Sequence, residues 1–162
     1  MTPLWYFGYG SNMHRSIFHE RRRMQPLATR WGWLEGYRLR FNIPVGPGER
    51  ACANLELQPG ARTCGVLYLL TPEDFDRLDL TEGVDRGLYS RVAVEVVADG
   101  GERVGAFTYC SRWTQEGRKP SARYLGLLVE GARENCLPAE YVRFLESHEL
   151  ARDERLEGLK SA

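Results

Sequence analysis

Two stretches of this chain carry residues that can do chemistry, a glycine loop near the N-terminus and a glutamate near the middle. Residues 4–13 read Leu-Trp-Tyr-Phe-Gly-Tyr-Gly-Ser-Asn-Met, so a strand-like apolar run breaks on Gly8 and Gly10 before the polar pair Ser11 and Asn12. Glycine has no Cβ and tolerates positive φ, so backbone N–H groups here can converge on a carboxylate or on a developing oxyanion. The competing interpretation is a strand that simply ends in a glycine turn. The spacing matches neither a P-loop, which needs a lysine, nor the three-glycine dinucleotide fingerprint.

Glu82 is the second candidate because of its position relative to an apolar stripe. Phe75, Leu78 and Glu82 are spaced i, i+3 and i+7, so on a helix the carboxylate would end the stripe just before Gly83, a typical helix end. Partial burial and the negative end of the helix dipole would both raise the pKa of Glu82 toward that of a general base. If the helix frays earlier, Glu82 is an ordinary surface carboxylate, and periodicity favours neither interpretation.

The elements that must position these residues follow from apolar periodicity and turn signals. Thr71, Pro72 and the acidic residues after them predict the N-terminus of the helix that carries Glu82. Asp79 and Asp85 fall off its apolar face, and we expect both to be solvated. Further helices are predicted over residues 14–23, from Ser121 and from Pro138. Strands are predicted over residues 27–42, 51–57, 64–70, 88–97 and 103–110, with a turn at 58–61 that divides the second from the third.

Composition limits the classes of partner. The 22 basic and 22 acidic residues balance, so no global field would hold nucleic acid or an anionic membrane, and a small-molecule partner is expected. The three arginines at positions 21–23 are interpreted as a solvated face. No apolar run approaches the length of a membrane span, and no secretion signal begins the chain, which predicts a cytoplasmic protein. The length fits a single domain, residues 1–150, with a polar tail at 151–162.

The four cysteines show no metal-binding pattern. Cys52, Cys64, Cys110 and Cys136 are scattered without a C-x-x-C pair, and none of the three histidines lies at ligand spacing from them. We therefore expect reduced, packed thiols and no structural zinc.

Several separated motifs together resemble the γ-glutamylcyclotransferase family. They are the run Tyr-Phe-Gly-Tyr-Gly-Ser-Asn at 6–12, Glu82-Gly83-Val84, Tyr109, and a C-terminal group that runs from Pro120-Ser121 and Tyr124 to Tyr141. The resemblance implies an α+β fold built on a small mixed β-barrel with peripheral helices. It also implies an enzyme without metal or cofactor that cyclises a γ-glutamyl group to 5-oxoproline and releases an amine or amino acid.

The same resemblance assigns roles by position. Glu82 is similar to the family's catalytic acid/base, and Tyr109 and Tyr124 are similar to its pocket tyrosines. The substrate-binding loop corresponds to Tyr6, Phe7, Gly8, Tyr9, Gly10, Ser11 and Asn12.

Other functions stay open at this point. One alternative is removal of a γ-glutamyl protecting group from a specialised biosynthetic intermediate, and another is a non-catalytic metabolite-binding protein. Nucleic-acid binding is the weakest hypothesis, since it depends only on the arginines at 21–23. The sequence does not identify the leaving amine, does not decide whether glutathione is a substrate, and leaves open whether the protein forms a homodimer.

Overall fold

A computed structural model describes residues 2–152 as a five-stranded barrel with helices around it. The strands are β1 (Leu4–Gly8), β2 (Ala28–Pro44), β3 (Ala51–Leu70), β4 (Ser90–Ala98) and β5 (Arg103–Cys110). The α-helices are α1 (Pro72–Thr81), α2 (Ala122–Glu134) and α3 (Ala139–Glu146). Shorter helical segments are a 3₁₀ turn at Ser11–Met13, a π-helix at Ser16–Arg21 and a 3₁₀ turn at Val84–Arg86.

The barrel closes in the order β1-β3-β2-β4-β5. Its pairings are antiparallel except where β1 meets β5, which run parallel with Tyr6 opposite Phe107. Closure leaves no long unpaired edge and encloses a continuous apolar core. The expected α+β fold with a mixed barrel and peripheral helices is confirmed.

The prediction that a turn at 58–61 divides two strands is wrong. β3 is one strand of 20 residues, Ala51–Leu70, and it pairs with β2 on both sides of this stretch. Residues 58–61 bulge outward where the register shifts between Glu35 opposite Arg62 and Tyr37 opposite Leu57. Gly60 takes a φ of 86° there, so the turn-forming residues make a bulge within the strand.

Helix α1 begins as its sequence predicts. The Thr71 hydroxyl accepts a hydrogen bond from the Asp74 backbone N–H at 3.2 Å, and Pro72 occupies the first helical position. Phe75 and Leu78 are fully buried against the barrel. The helix ends at Thr81, and Glu82 is its C-cap residue.

The segment predicted as a short helix at 14–23 is a π-helix at Ser16–Arg21. It buries Ile17 and Phe18, and the Phe18 ring stacks on Tyr68 with a centroid separation of 4.1 Å. This contact fixes the segment on the barrel and therefore fixes the position of Arg22 immediately after it. Single π-turns are rare and often occur at functional sites.

Helix α2 packs against the N-terminal loop. The Ser121 side chain caps α2 by accepting from the Tyr124 backbone N–H, as predicted. The helix meets the 3₁₀ turn through Gly131, and the Asn135 amide donates to the Met13 carbonyl at 2.9 Å. α2 therefore supports the glycine loop from behind.

The expected polar tail at 151–162 lies outside the described residues except for its first two. The Ala151 backbone N–H donates to the Pro120 carbonyl and that of Arg152 to the Glu49 side chain. In the described residues, no helix has the length and apolar character needed to cross a membrane.

The close approach of α2 to the loop predicts opposite effects for two alanine substitutions on one helix. A Cβ at Gly131 would lie 2.7 Å from the Met13 carbonyl carbon and 2.8 Å from the His14 nitrogen, whereas a Cβ at Gly126 would meet nothing within 4 Å. Gly131→Ala should lower the free energy of unfolding by about 1 to 3 kcal/mol through overpacking.

Gly126→Ala is the matched control and should raise the free energy of unfolding by about 0.5 to 1 kcal/mol, because alanine has the higher helix propensity. Urea denaturation followed by circular dichroism measures both. Equal effects of the two substitutions would contradict the close packing of α2 on the loop.

Candidate active site

Glu82 occupies the C-cap position of α1 with its side chain turned toward the barrel. Its backbone N–H still donates to the Leu78 carbonyl, so the last helical turn includes it. Gly83 follows with a φ of 69°, which turns the chain away. The Glu82 side chain is only 13% exposed. Of the two interpretations of this residue, a buried carboxylate is therefore correct, and an ordinary surface carboxylate is not.

Asn12 joins the glycine loop to this glutamate. Its side-chain Nδ2 donates to Glu82 Oε1 at 3.1 Å and to the Tyr6 hydroxyl at 2.8 Å. Its Oδ1 accepts from Arg22 Nε at 2.6 Å, and its backbone carbonyl accepts from the Tyr68 hydroxyl at 2.8 Å. The three side-chain bonds give the Asn12 amide one orientation, in which it holds the carboxylate against the loop.

Arg22 is part of this site, and its interpretation as a solvated face is wrong. Its side chain is 22% exposed, and a guanidinium nitrogen lies 3.9 Å from Glu82 Oε1. Arg21 and Arg23 on either side are exposed. Three consecutive arginines offer no periodicity that distinguishes the middle one, since its placement depends on how Phe18 packs.

The surroundings of Glu82 change its protonation. Burial raises the pKa of the Glu82 carboxyl above its ordinary value, while the Arg22 charge and the Asn12 hydrogen bond act in the opposite direction without cancelling it. A carboxyl with a raised pKa is a stronger base once ionised, and a larger fraction of it stays protonated near neutral pH, where it can return a proton. The site therefore suits a group that must both accept and return a proton.

A cavity of about 260 Å³ lies beside Glu82. Of the residues singled out from sequence, the structure brings eight to its wall: Tyr6, Tyr9, Gly10, Ser11, Asn12, Glu82, Tyr109 and Tyr124. Arg22, Cys52, Ala53, Thr81 and Tyr89 complete the lining and carry no sequence signal that pointed to them.

Phe7 and Gly8 do not line the cavity. Phe7 is fully buried in the core, and Gly8 pairs with Val66 in the barrel. Successive side chains of a strand point to opposite faces, so Tyr6 reaches the cavity and its neighbour Phe7 does not. A role for these two residues in substrate binding stays a prediction, and any such role would act through the position of Tyr6.

The backbone of the glycine loop is available to a ligand. Among the described residues, no acceptor is found for the N–H groups of Gly10, Ser11 and Asn12, whereas the next N–H, of Met13, donates to the Gly10 carbonyl. Unsatisfied backbone donors that line a cavity can bind an anion.

The tyrosines of the cavity are held by hydrogen bonds. The Tyr9 hydroxyl donates to the Tyr109 carbonyl, and the Tyr124 hydroxyl accepts from the Ala53 backbone N–H at 3.0 Å. Burial raises the pKa of each of these tyrosines, so their hydroxyls stay protonated at neutral pH. They form neutral walls rather than acid/base groups.

Asp79 is a supporting residue, and the expectation that it is solvated is wrong. It accepts the Tyr109 hydroxyl and forms a two-pronged ion pair with Arg91, with contacts of 2.8 and 3.1 Å. The Arg91 guanidinium also lies 4.0 Å from the centre of the Phe75 ring. Asp79 therefore positions Tyr109 and fastens α1 to the barrel, whereas Asp85 is exposed as expected.

No group of three or more His, Cys, Asp or Glu side chains in residues 2–152 is arranged to hold a metal ion. The four cysteines are unpaired thiols in the described structure. Burial raises the pKa of the Cys110 thiol to about 11, and that of Cys64 to about 12, so both are protonated at neutral pH.

Comparison with known proteins gives concordant matches. A model of the AIG2-like family matches residues 62–145. A γ-glutamyl cyclotransferase of Clonostachys rogersoniana is 36% identical over 154 residues, covering 78% of this chain and 86% of that protein. A γ-glutamylcyclotransferase of Bos taurus is 31% identical over 150 residues, covering 89% of this chain and 78% of the bovine protein.

The fold has a close match among solved structures. The structure of a γ-glutamyl cyclotransferase superposes with a TM-score of 0.82 over 99% of both chains, at 24% sequence identity. This similarity shows a shared fold.

The contact between Arg22 and Glu82 predicts how the carboxyl titrates. In ¹³C-glutamate-labelled protein, the Glu82 carboxyl signal should titrate at higher pH than a glutamate side chain in a model peptide, because burial disfavours the carboxylate. Arg22→Gln should move the Glu82 midpoint to still higher pH, since the substitution removes a positive charge that favours ionisation.

Arg23→Gln is the matched control, because Arg23 is the exposed neighbour, and it should leave the midpoint where it is. A Glu82 midpoint that coincides with that of a model-peptide glutamate, or that moves to lower pH in Arg22→Gln, would contradict these electrostatics.

Proposed function

The chain belongs to the AIG2-like family, whose relatives described above are γ-glutamylcyclotransferases, and from this premise we propose that it cyclises a γ-glutamyl amino acid or amine to 5-oxoproline. The observation that carries the proposal is the buried Glu82 carboxyl beside a cavity walled by the glycine loop. In the reaction, the α-amine nitrogen forms a bond to the γ-carbonyl carbon, and the amide C–N bond breaks. The leaving portion departs as an amine.

Glu82 serves as the proton carrier in this proposal. An α-ammonium group is not a nucleophile, so the carboxylate first removes one of its protons. The amine then attacks, and the protonated Glu82 carboxyl gives its proton to the leaving nitrogen. As the amide C–N bond breaks, the carboxylate takes the surplus proton of the ring nitrogen and passes it to the released amine. The carboxylate is regenerated, and no other acid or base is needed.

The loop backbone is suited to one of the two anions of the reaction. Attack places negative charge on the former amide oxygen, and the substrate also carries an α-carboxylate. The N–H groups of Ser11 and Asn12 can donate to either anion. Loss of a single oxyanion donor commonly costs about 10²- to 10³-fold in rate.

The cavity contributes by restricting conformation. Nucleophile and electrophile belong to the same molecule, so the barrier depends on folding the glutamyl chain until nitrogen and carbon approach at about 3 to 3.5 Å. The hydrogen-bonded tyrosines Tyr9, Tyr109 and Tyr124 give this cavity fixed walls.

Two other functions make different predictions. A non-catalytic binding protein would bind 5-oxoproline without turnover of any γ-glutamyl compound. A deprotecting enzyme would prefer bulky γ-glutamyl amides over γ-glutamyl dipeptides. The presence of Glu82, whose pKa is raised by burial, supports an enzyme that turns over its substrate rather than a protein that only binds it.

Substitution of the proton carrier tests the proposal. Glu82→Gln keeps the shape of the side chain and removes its basicity, so the rate of 5-oxoproline release from γ-glutamyl-alanine should fall by about 10²- to 10⁴-fold. Chromatography of the released 5-oxoproline measures it.

Asp85→Asn serves as the control, since Asp85 is an exposed carboxylate three residues away. It should retain the activity of the unsubstituted protein. Undiminished release of 5-oxoproline by Glu82→Gln would refute the role of Glu82, and absence of turnover with every γ-glutamyl compound would refute the proposed activity.

A further inference from the structure

A second cavity of about 300 Å³ adjoins the one beside Glu82, and we call it the arginine cavity. The two share four lining residues, Ser11, Arg22, Cys52 and Tyr124. A molecule held beside Glu82 can therefore extend past Ser11 into the arginine cavity without crossing the protein interior.

The lining of this second cavity is positively charged. Arg21, Arg50 and Arg123 join Arg22 around it, and none of the lining residues within positions 2–152 is an aspartate or a glutamate. In the described part of the chain, Arg21, Arg50 and Arg123 form no salt bridge. Their positive charge is therefore not neutralised by a carboxylate and is available to a ligand.

The Arg50 guanidinium is unusual among them because its Nε is buried and has no hydrogen-bond partner. A buried donor without an acceptor is unfavourable, and a bound anion would relieve that cost. Its backbone carbonyl accepts from Arg118, so the residue is held in place independently of its own side chain.

The first turn of α2 adds to this field. Ser121, Ala122 and Arg123 line the cavity at the N-terminus of a 13-residue helix whose first turn contains no acidic residue. The positive end of the helix dipole and the arginines therefore both favour a negatively charged ligand. Ile17, Val45 and Leu127 form the apolar part of the wall, where a short aliphatic chain can pack.

We propose that the arginine cavity binds the leaving portion of the substrate and selects a dicarboxylic amino acid, such as the aspartate or glutamate of a γ-glutamyl dipeptide. This inference depends on the proposed cyclisation. With the γ-glutamyl group beside Glu82, the leaving nitrogen lies at the junction of the two cavities. Its α-carboxylate and its side-chain carboxylate then reach separate guanidinium groups, and planar guanidinium groups pair well with carboxylates.

A substrate series of graded charge tests this selection. The probes are γ-glutamyl-aspartate with two carboxylates on the leaving portion, γ-glutamyl-alanine with one, and γ-glutamyl-alaninamide with none. We expect kcat/KM to fall in that order, because hydrogen bonds between charged groups are strong. The value for γ-glutamyl-aspartate should exceed that for γ-glutamyl-alaninamide by at least about tenfold. Increasing salt should reduce the differences.

Two variants assign the selection to the cavity. Arg123→Gln and Arg50→Gln should each lower the ratio of kcat/KM for γ-glutamyl-aspartate over γ-glutamyl-alaninamide by about three- to tenfold. Arg143→Gln is the control, because Arg143 is an exposed arginine on α3 away from both cavities, and it should leave that ratio unchanged. Circular dichroism of each variant identifies any loss of fold.

The outcomes separate this inference from the function on which it depends. Equal turnover of all three substrates, or a ratio of kcat/KM values that neither cavity variant changes from that of the unsubstituted protein, overturns the inference and leaves the cyclisation intact. Absence of 5-oxoproline from all three substrates refutes the cyclisation itself.

Discussion

The side chain of Asn12 connects three segments that are far apart in the chain, and the geometry of the site depends on it. It donates to Glu82 and Tyr6 and accepts from Arg22, while its own backbone carbonyl is fixed by Tyr68. A planar amide has only two orientations, which exchange its oxygen and its nitrogen. The exchanged orientation would place the amide oxygen against the Glu82 carboxylate and the amide nitrogen against the Arg22 donor, so the partners together fix the orientation. The carboxylate is therefore both buried and oriented. Burial makes it basic, and orientation directs it toward the cavity.

The barrel supplies the stiffness that such an arrangement needs. The loop that carries Asn12 follows β1, which pairs on both sides, and α2 supports it from behind through Gly131. Glu82 is held at the other side of the cavity because α1 is fastened to the barrel by the ion pair between Asp79 and Arg91. Catalytic groups on rigid supports lose little entropy on reaching the reactive geometry, which favours intramolecular ring closure.

Local signals in the sequence predicted part of this structure, and long-range packing determined the rest. The capping threonine, the apolar stripe and the glycine after Glu82 are all local, so α1 and its final carboxylate were predictable, although burial of that carboxylate was not. The barrel followed from the family resemblance, since strand pairing is not encoded locally. Residues 58–61 predict a turn and form a bulge, because the same residue types favour both. Arg22 was missed because the packing of Phe18, and not the arginine itself, brings it to the site.

In the proposed reaction, one buried carboxylate faces the substrate amine, and the loop backbone donates to the amide oxygen or to the α-carboxylate. A crystal structure of the Glu82→Gln variant with intact γ-glutamyl-alanine bound tests it most directly. The account predicts the α-amine nitrogen within about 2.6 to 3.2 Å of the side chain at position 82, with the γ-amide oxygen or the α-carboxylate at the N–H groups of Ser11 and Asn12. A γ-glutamyl group bound elsewhere, or with its amine turned away from position 82, would contradict it.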